Sequence, residues 1–212
     1  MTTINVKEFQ DISKNASYIL GLDEVGWGAL AGPCVVCGIR APKNWNLSGL
    51  NDSKKMSPLQ REAVKNKIIN EVNSGIITCF IAEKSNIEMD SLGPGPTLNS
   101  LYVESINSLY KNNDLIVLDG TLSLKDKNIN NYNIVNIIKA DQHVATVKAA
   151  SIVAKVYRDS FMKSIAYKYP NFNFDSNFGY YSDSHISAIE KHGLTDLHRR
   201  SYKIKKLSHL YT

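Results

Sequence analysis

The feature of this sequence that most constrains its fold is a short, unbroken apolar run between two acidic residues, at positions 114–119. Strands covered by helices on both faces read as continuous Val, Ile and Leu, whereas half-exposed strands alternate with polar residues. The run therefore predicts a central, buried strand. Weaker β-branched runs at 18–23, 33–39, 75–83 and 134–138 predict four more strands.

Segments with helical spacing lie between and after these strands. Ser57 and Pro58 predict a helix start, because serine caps helices and proline suits their first position. The GPGP segment at 93–96 predicts a loop, followed by a helix over 97–111. An alanine-rich stretch from 146 predicts a long buried helix that ends by Pro170.

The order of these elements indicates an α/β fold, with a sheet core flanked by helices. A further helix is predicted over 184–191, and a basic tail follows it. No repeat or linker divides the chain. We therefore predict a single domain over 1–212, in which residues from about 170 form a small C-terminal helical cap.

Composition and charge narrow the class of protein. The net charge of +5 suits a polyanionic partner such as nucleic acid, although a solvated, lysine-rich surface explains it equally well. No apolar run approaches the roughly 20 residues of a membrane span, and the first twenty residues are too polar for an export signal. We expect a cytoplasmic monomer without a membrane partner. Cys34 and Cys37 have metal-ligand spacing, but on a strand their thiols diverge, which favours core packing over zinc.

Acidic residues stand where the predicted strands end. Asp23 and Glu24 close the first strand, Asp119 closes the apolar run, and Asp141 follows the last strand. Ligands of α/β sheets bind beyond the carboxyl ends of the strands, so these groups can converge. Clustered carboxylates repel one another, and Mg²⁺ relieves that repulsion. The pattern favours a two-metal site that hydrolyses a phosphodiester.

A plainer interpretation remains open at this point. An aspartate before a glycine at a strand end is often only a turn residue. Asp23 and Glu24 are also neighbours, and neighbours on a regular strand point to opposite faces. They converge only if the pleat breaks, which Gly26 and Gly28 permit.

Several motifs in this order resemble the ribonuclease HII (type 2 ribonuclease H) family. They are GLDEVGWGALAGP near the start, NDSKKMS, LDG at 118–120, KAD at 139–141, AASIVAKVYRD at 149–159, GYY at 179–181 and LHRRSY at 197–202. The resemblance implies a ribonuclease H-like fold, with a mixed central sheet flanked by helices and a small C-terminal extension.

The resemblance also implies an activity. Members of the family cleave the RNA strand of RNA–DNA hybrids and cut at ribonucleotides embedded in duplex DNA, with Mg²⁺ or Mn²⁺ as cofactor. The implied partners are therefore an RNA–DNA hybrid and ribonucleotide-containing duplex DNA. The catalytic, metal-binding quartet of the family falls on Asp23, Glu24, Asp119 and Asp141, which are the strand-end carboxylates.

Other matched positions imply contacts to the substrate. Ser53 and Lys54 match residues that touch the nucleic-acid backbone, although a capped helix start is the plainer alternative. Tyr180 matches a tyrosine that packs against a sugar beside the scissile bond. We expect Ser151 to face the site, and Arg158 and Asp159 to form a structural pair. His143 is a further candidate, for proton transfer.

The sequence departs from the family pattern at the tripeptide after the Asp-Glu pair. The family has Gly-Arg-Gly, which reads the ribose 2′-hydroxyl through main-chain atoms, and this chain has Gly26, Trp27 and Gly28. Indole lacks the positive charge of arginine, so a phosphate contact is lost. Phe178 and Tyr181 also replace family residues, which predicts an aromatic substrate edge in place of a cationic one.

Two alternatives follow from these departures. The first is a hybrid-binding relative that has lost catalysis or changed its specificity, and the intact quartet argues against it. The second is another two-metal nuclease on the same fold, such as a transposase or a resolving nuclease. Such enzymes lack the DSKK and AASIVAKV segments in this order.

Overall fold

The computed structural model describes residues 1–127, 129 and 131–211, and for 209–211 the backbone alone. Within this range six strands form one sheet in the order β1-β6-β5-β2-β3-β4. Strands β2, β3 and β4 pair antiparallel, whereas β1, β6, β5 and β2 run parallel. The strands are β1 (Thr2–Ile4), β2 (Tyr18–Val25), β3 (Cys34–Pro42), β4 (Thr78–Lys84), β5 (Leu115–Asp119) and β6 (Asn133–Ile137). The predicted mixed α/β sheet is confirmed.

Helices cover both faces of this sheet. They are α1 (Val6–Ile12), α2 (Pro58–Asn73), α3 (Asn86–Leu92), α4 (Pro94–Leu109), α5 (Ala145–Ala166), α6 (Phe174–Asn177) and α7 (Asp183–His192). Short 3₁₀ turns stand at Ser13–Asn15, Ser53–Lys55, Ala140–Gln142 and Lys205–Tyr211. Among the described helices, none has both the length and the apolar character needed to cross a bilayer.

The core explains why β5 is apolar throughout. Its first four residues are completely buried, with α4 packed on one face and α5 on the other. Helix α5 lies directly on β2, since a Cβ on Gly21 would come within 2.5 Å of the backbone nitrogen of Val147. This close packing aligns the end of β2 with the first turns of α5.

Three differences from the sequence prediction have simple causes. The GPGP segment is the first turn of α4, not a loop, because Pro94 and Pro96 occupy positions whose amides need no helical partner. Helix α3, which Ser85 caps together with Glu88, is too short for a periodic signal. Strand β1 has three residues and, among the described strands, pairs with β6 alone at the sheet edge.

The C-terminal segment packs against the end of α5. Phe172, Phe174, Ile186 and Ile189 surround Met162 and reach Ala31, in the loop between β2 and β3. The backbone of this segment is hydrogen-bonded to the same loop, since Gly32 N–H donates to Leu197 O and Arg199 N–H to Leu30 O. Its position supports the loop that follows β2. The interpretation of the whole chain as one domain stays a prediction.

Candidate active site

A cavity of about 570 Å³ opens at the carboxyl ends of β2 and β5. It brings together the candidate catalytic and substrate-contact residues except Asp141, which is not among its lining residues. The lining residues are Asp23, Glu24, Val25, Gly26, Trp27, Gly28, Ser53, Lys54, Arg61, Asp119, Ser151, Lys155 and Tyr180.

Asp23 and Glu24 both reach this cavity although the strand between them is regular. Pairing of β2 with β3 continues without interruption through Val25, so the expected break in the pleat is absent. Pairing of β2 with β5 instead ends at Leu22. Beyond that point the β5 side of the strand is open, and side chains from both faces of β2 can border one space.

Burial and mutual repulsion act on the first two carboxyl groups. Asp23 is 8% exposed; burial, followed by the charge of Glu24, raises its pKa well above the ordinary value. Its Oδ1 accepts the Glu24 N–H at 2.9 Å. Burial also raises the pKa of Glu24, partly offset by a hydrogen bond from the phenol of Tyr102. Both groups are therefore costly to ionise without a cation nearby.

Tyr102 is a site residue that the sequence analysis missed. It lies on α4 among apolar residues, is completely buried, and donates its hydroxyl to Glu24 Oε2. A buried tyrosine needs a partner for its hydroxyl. A tyrosine among the apolar residues of a helix thus indicates that some polar partner lies nearby. The sequence does not show which residue it is, because Glu24 is 78 residues away.

Asp119 and Asp141 are linked through the turn that follows β6. The N–H of Ala140 donates to Asp119 Oδ1 at 2.6 Å, which fixes that carboxylate against the turn containing Asp141. Burial and the nearby charge of Asp141 raise the pKa of Asp119. Asp141 itself is 3% exposed and reaches the cavity through the ammonium of Lys54, at 3.6 Å.

Lys54 supplies the positive charge that the carboxylates share. Its partial burial disfavours the charged form, but attraction to Asp141, Asp23, Asp52 and Asp119 prevails and raises its pKa. The same ammonium also attracts Glu24. One cation thus interacts with all four carboxylates of the predicted quartet.

The donor set fits a hard divalent cation in its chemistry. Carboxylate oxygens are the ligands that Mg²⁺ and Mn²⁺ prefer, and a positive charge already faces them. As the described side chains stand, however, no three His, Cys, Asp or Glu groups form a ready-made metal cluster. The ligand types therefore suit a divalent cation, and the positions of the described side chains do not yet converge on one point.

Ser53 is fixed between two structural elements. It is 5% exposed, its hydroxyl lies 2.9 Å from that of Ser151 on α5, and its carbonyl accepts a hydrogen bond from Arg61. As expected, Ser151 faces the site. The side chain of Lys54 is by contrast 81% exposed, and its ammonium lies 3.6 Å from Asp141 Oδ2.

The tripeptide after Glu24 is attached to Tyr180. The N–H of Gly26 donates to the Tyr180 hydroxyl at 2.9 Å. Gly26 has φ of +83°, and a Cβ there would lie 2.1 Å from Nε of Arg158. Trp27 is 45% exposed, and its carbonyl accepts hydrogen bonds from Arg199 and Tyr202.

Two buried arginines hold the loop that begins at this tripeptide. Arg158 donates to the carbonyls of Ala31, Pro33 and Phe178 at 2.8–2.9 Å. Arg199 donates to those of Gly32 and Trp27 at 2.8–3.0 Å. Planar guanidinium with five donors suits such carbonyl clusters.

One expectation about neighbouring residues was wrong. Asp159 forms an ion pair with Lys155, at 2.9 Å, and not with Arg158. At the expected aromatic edge, the Lys155 ammonium lies 5.0 and 5.6 Å from the ring centroids of Phe178 and Tyr180, so a positive charge accompanies the aromatic rings.

His143 does not line the cavity that holds Asp23, Glu24 and Asp119. It lines a separate cavity near the start of α5, together with Trp45 and Lys148. This position gives no support to its proposed role in proton transfer.

Comparisons with known proteins identify relatives of this chain. A family model described as ribonuclease HII matches residues 20–205. The chain is 41% identical over 204 residues to a ribonuclease HII of Clostridium beijerinckii, covering 94% of this chain and 73% of that protein. It resembles the crystal structure of ribonuclease H2 from Pyrococcus horikoshii with a TM-score of 0.72 and 25% identity, covering 92% of this chain and 98% of that one.

A more distant structure shares the fold alone. Bst-RNase HIII in complex with Mn²⁺ matches with a TM-score of 0.59 and 16% identity, over 85% of this chain and 64% of that one. The family match and the close relative confirm the resemblance and the class of enzyme inferred from the sequence motifs. This chain belongs to the ribonuclease HII family of hydrolases.

Proposed function

We propose that this protein is an endoribonuclease that hydrolyses the RNA strand of RNA–DNA hybrids and cuts on the 5′ side of ribonucleotides embedded in duplex DNA. The products are 3′-hydroxyl and 5′-phosphate ends. The observation that carries the proposal is the set of four strand-end carboxylates that share the Lys54 ammonium. Membership of the ribonuclease HII family supports it.

The carboxylates of Asp23, Glu24, Asp119 and Asp141 would hold the metal ions in this mechanism. Two bound Mg²⁺ or Mn²⁺ ions supply activation of the attacking water and stabilisation of charge on the leaving oxygen. The protein orients the ligands: Tyr102 holds Glu24, and the Ala140 amide holds Asp119. A Mn²⁺ complex of the distant neighbour supports the choice of metals.

The remaining lining residues would bind and orient the substrate. Lys54 and Lys155 face the cavity with positive charge, which suits the phosphates on either side of the cut. Ser53 would contact the nucleic-acid backbone beside them. Tyr180, half-buried at the cavity wall, offers its ring to the sugar. The main chain of Gly26, Trp27 and Gly28 would recognise the 2′-hydroxyl, which both donates and accepts hydrogen bonds.

The first test is cleavage of three labelled duplexes of one sequence. They are an RNA–DNA hybrid, a DNA duplex with a single ribonucleotide, and plain DNA. We expect cleavage of the first two in Mg²⁺ or Mn²⁺ and none of the third. A hybrid-binding relative without catalytic activity would bind the hybrid and cut nothing, whereas a DNA nuclease of the same fold would cut the plain duplex.

Metal removal should stop cleavage without unfolding the chain. The helices and sheet have their own apolar core, so we expect an unchanged circular dichroism spectrum in EDTA. Adding Mg²⁺ or Mn²⁺ should restore cleavage and raise the Tm, because the ions bind the folded state. Full activity after exhaustive chelation would contradict the two-metal mechanism.

Trp27→Arg should strengthen substrate binding and make it more dependent on salt. Restoring a guanidinium adds about one phosphate contact, which steepens the slope of log K against log salt by roughly one unit. The measurement is hybrid affinity by fluorescence anisotropy in EDTA at several salt concentrations. Tyr167→Arg is a matched control, since it adds the same charge at a 75% exposed position at the end of α5.

Cleavage of the hybrid compared with cleavage of the single-ribonucleotide duplex tests a second role for Trp27, which is stacking on the substrate. Its exposed ring lies between the carboxylate cavity and a neighbouring cavity along α4, where it could stack on a base or sugar. An equal gain on hybrid and single-ribonucleotide duplexes supports the phosphate contact. A shift of preference toward the single ribonucleotide supports stacking, and no change on either substrate contradicts both roles.

The proposal includes a monomeric, single-domain enzyme that works in the cytoplasm. Light scattering during size-exclusion chromatography tests the monomer, and a single cooperative unfolding transition tests the single domain.

A further inference from the structure

Two histidines of the C-terminal segment form a buried pair. His185 on α7 and His198 in the following segment are 0% and 2% exposed, and their Nε2 atoms lie 3.0 Å apart. The rings of Phe172 and Phe174 enclose them, with centroid distances of 5.3–6.5 Å. The pair therefore sits in an apolar pocket of the cap.

The hydrogen bonds at the two ends of the pair determine where its protons are. The carbonyl oxygen of Tyr180, 2.8 Å from His185 Nδ1, can only accept, so that nitrogen carries a proton. The amide of Thr195 donates to His198 Nδ1 at 2.9 Å, so that nitrogen has none. A neutral imidazole has one N–H, and hence His198 Nε2 donates to His185 Nε2. All four ring nitrogens are satisfied when both rings are neutral.

A further proton would disrupt this arrangement. It would place two N–H donors face to face, either between the rings or at the Thr195 amide. Burial lowers the pKa of both histidines, that of His198 to about 3, with the charge of His185 adding to the effect. The other charged and titratable groups near the pair are Tyr169, His192, Asp196, Arg199 and Arg200.

The pair connects to the candidate active site through Tyr180. The Tyr180 carbonyl is held by His185, its ring lines the cavity, and its hydroxyl accepts the N–H of Gly26. Hydrogen bonds thus link Thr195, both histidines and the Tyr180 main chain, and a further bond links the Tyr180 side chain to the tripeptide. The last member of this series lies two residues from Glu24.

We propose that the neutral His185–His198 pair is a positioning device that holds Tyr180, and through it Gly26, in the geometry that binds the nucleic-acid substrate. This inference rests on the proposed role of Tyr180 in substrate binding. The histidines are positioning residues, because neither lines the cavity.

The main test compares two substitutions of His198. His198→Phe keeps an aromatic ring but removes the donor to His185, whereas His198→Gln keeps an N–H donor and cannot titrate. We expect His198→Phe to raise KM for a labelled RNA–DNA hybrid about tenfold with kcat within about twofold. His198→Gln should stay within about threefold of the natural protein. His192→Gln, at an exposed position of α7, is the matched control.

A double-mutant cycle with Tyr180→Ala shows whether the effect passes through the tyrosine. Hybrid affinity is measured by fluorescence anisotropy in EDTA, so that no cleavage is needed. If the pair acts through Tyr180, His198→Phe should add less than about twofold once Tyr180 is gone. Independent, multiplying effects would overturn the proposal.

The pH dependence of stability provides an independent test, which can be carried out even if His198→Phe fails to fold. The folded-state pKa values of the pair lie below the unfolded value of about 6.5, so its stabilisation is complete above that pH and declines as the pH falls toward 3. Between pH 7 and 5 the natural protein should lose more Tm than His198→Gln, because two buried imidazoles resist protonation in the natural protein and one does in the variant. Equal losses in both would overturn the proposal.

The outcomes separate this inference from the proposed function. If Tyr180→Ala binds and cuts the hybrid like the natural protein, the substrate role of Tyr180 is wrong. If Tyr180→Ala weakens binding but His198→Phe folds and binds normally, the substrate role stands and the positioning role of the histidines is wrong. Long-range ¹H–¹⁵N spectra of the imidazoles should further show the Nδ1–H form for His185 and the Nε2–H form for His198.

Discussion

Asp119→Asn is expected to reduce cleavage of an RNA–DNA hybrid by about 10³-fold or more while leaving the protein folded. The carboxylate ends the buried strand β5 and faces Glu24, Asp141 and Lys54. Removing one ligand charge weakens metal binding and stabilisation of the transition state, and a thousandfold loss corresponds to about 4 kcal/mol. The measurement is single-turnover cleavage at saturating Mg²⁺.

The fold should survive because the amide retains the structural contact. The side-chain oxygen of asparagine can still accept the N–H of Ala140, now bound at 2.6 Å. Loss of a charge that repels Asp141 favours the folded state, so we expect an equal or slightly higher Tm without metal. Asp11→Asn, at an exposed position on α1, is the control and should cleave normally. Near-normal turnover by Asp119→Asn would remove this residue from the metal site.

Gly26→Ala should be the most destabilising small substitution at the site. Its φ of +83° strains any L side chain, and the new Cβ would meet the Nε of Arg158 at 2.1 Å and the carbonyl of Pro33 at 2.6 Å. Moving the guanidinium would break its hydrogen bonds to buried carbonyls. We expect a loss of about 3–5 kcal/mol in the free energy of unfolding, measured by urea denaturation.

Gly28→Ala is the matched control for this prediction. Gly28 lies in the same tripeptide but has no positive φ, and a Cβ added to it would meet no other atom within 4 Å. The stability of this variant should change by less than about 0.5 kcal/mol. A similar loss in both variants would show that the loop, and not the contact with Arg158, determines the effect.

The sequence predicted the sheet and the position of the carboxylates for local reasons. Strand β5 is covered on both faces, so its continuous apolar run identifies it as a central strand. An aspartate at the end of this strand must therefore lie where the parallel strands have their carboxyl ends. Parallel pairing of β5 with β2 then brings Glu24 to the same place. These inferences need only the period of a strand and the rule for ligand sites in α/β sheets.

The parts that the sequence did not predict depend on contacts between distant residues. Tyr102 looks like any core residue of α4 until Glu24 is placed beside it. Arg158 was paired with its neighbour Asp159, because sequence shows adjacent charges and not the carbonyls of a loop more than 120 residues earlier. The sequence gives no indication that His185 and His198 are buried against each other, because no local pattern of residues marks a buried pair of imidazoles.

The two guanidiniums that hold the Gly26–Pro33 loop have a consequence for biosynthesis. Strands β2 and β5 leave the ribosome early, whereas Arg158 and Arg199 follow them by many residues. A growing polypeptide can pair its first strands before either arginine is translated, but the loop beside the carboxylates lacks the hydrogen bonds of these guanidiniums until both have emerged. Translation that stops between these two positions would yield a sheet with an incompletely held loop, so competence for catalysis requires synthesis through Arg199.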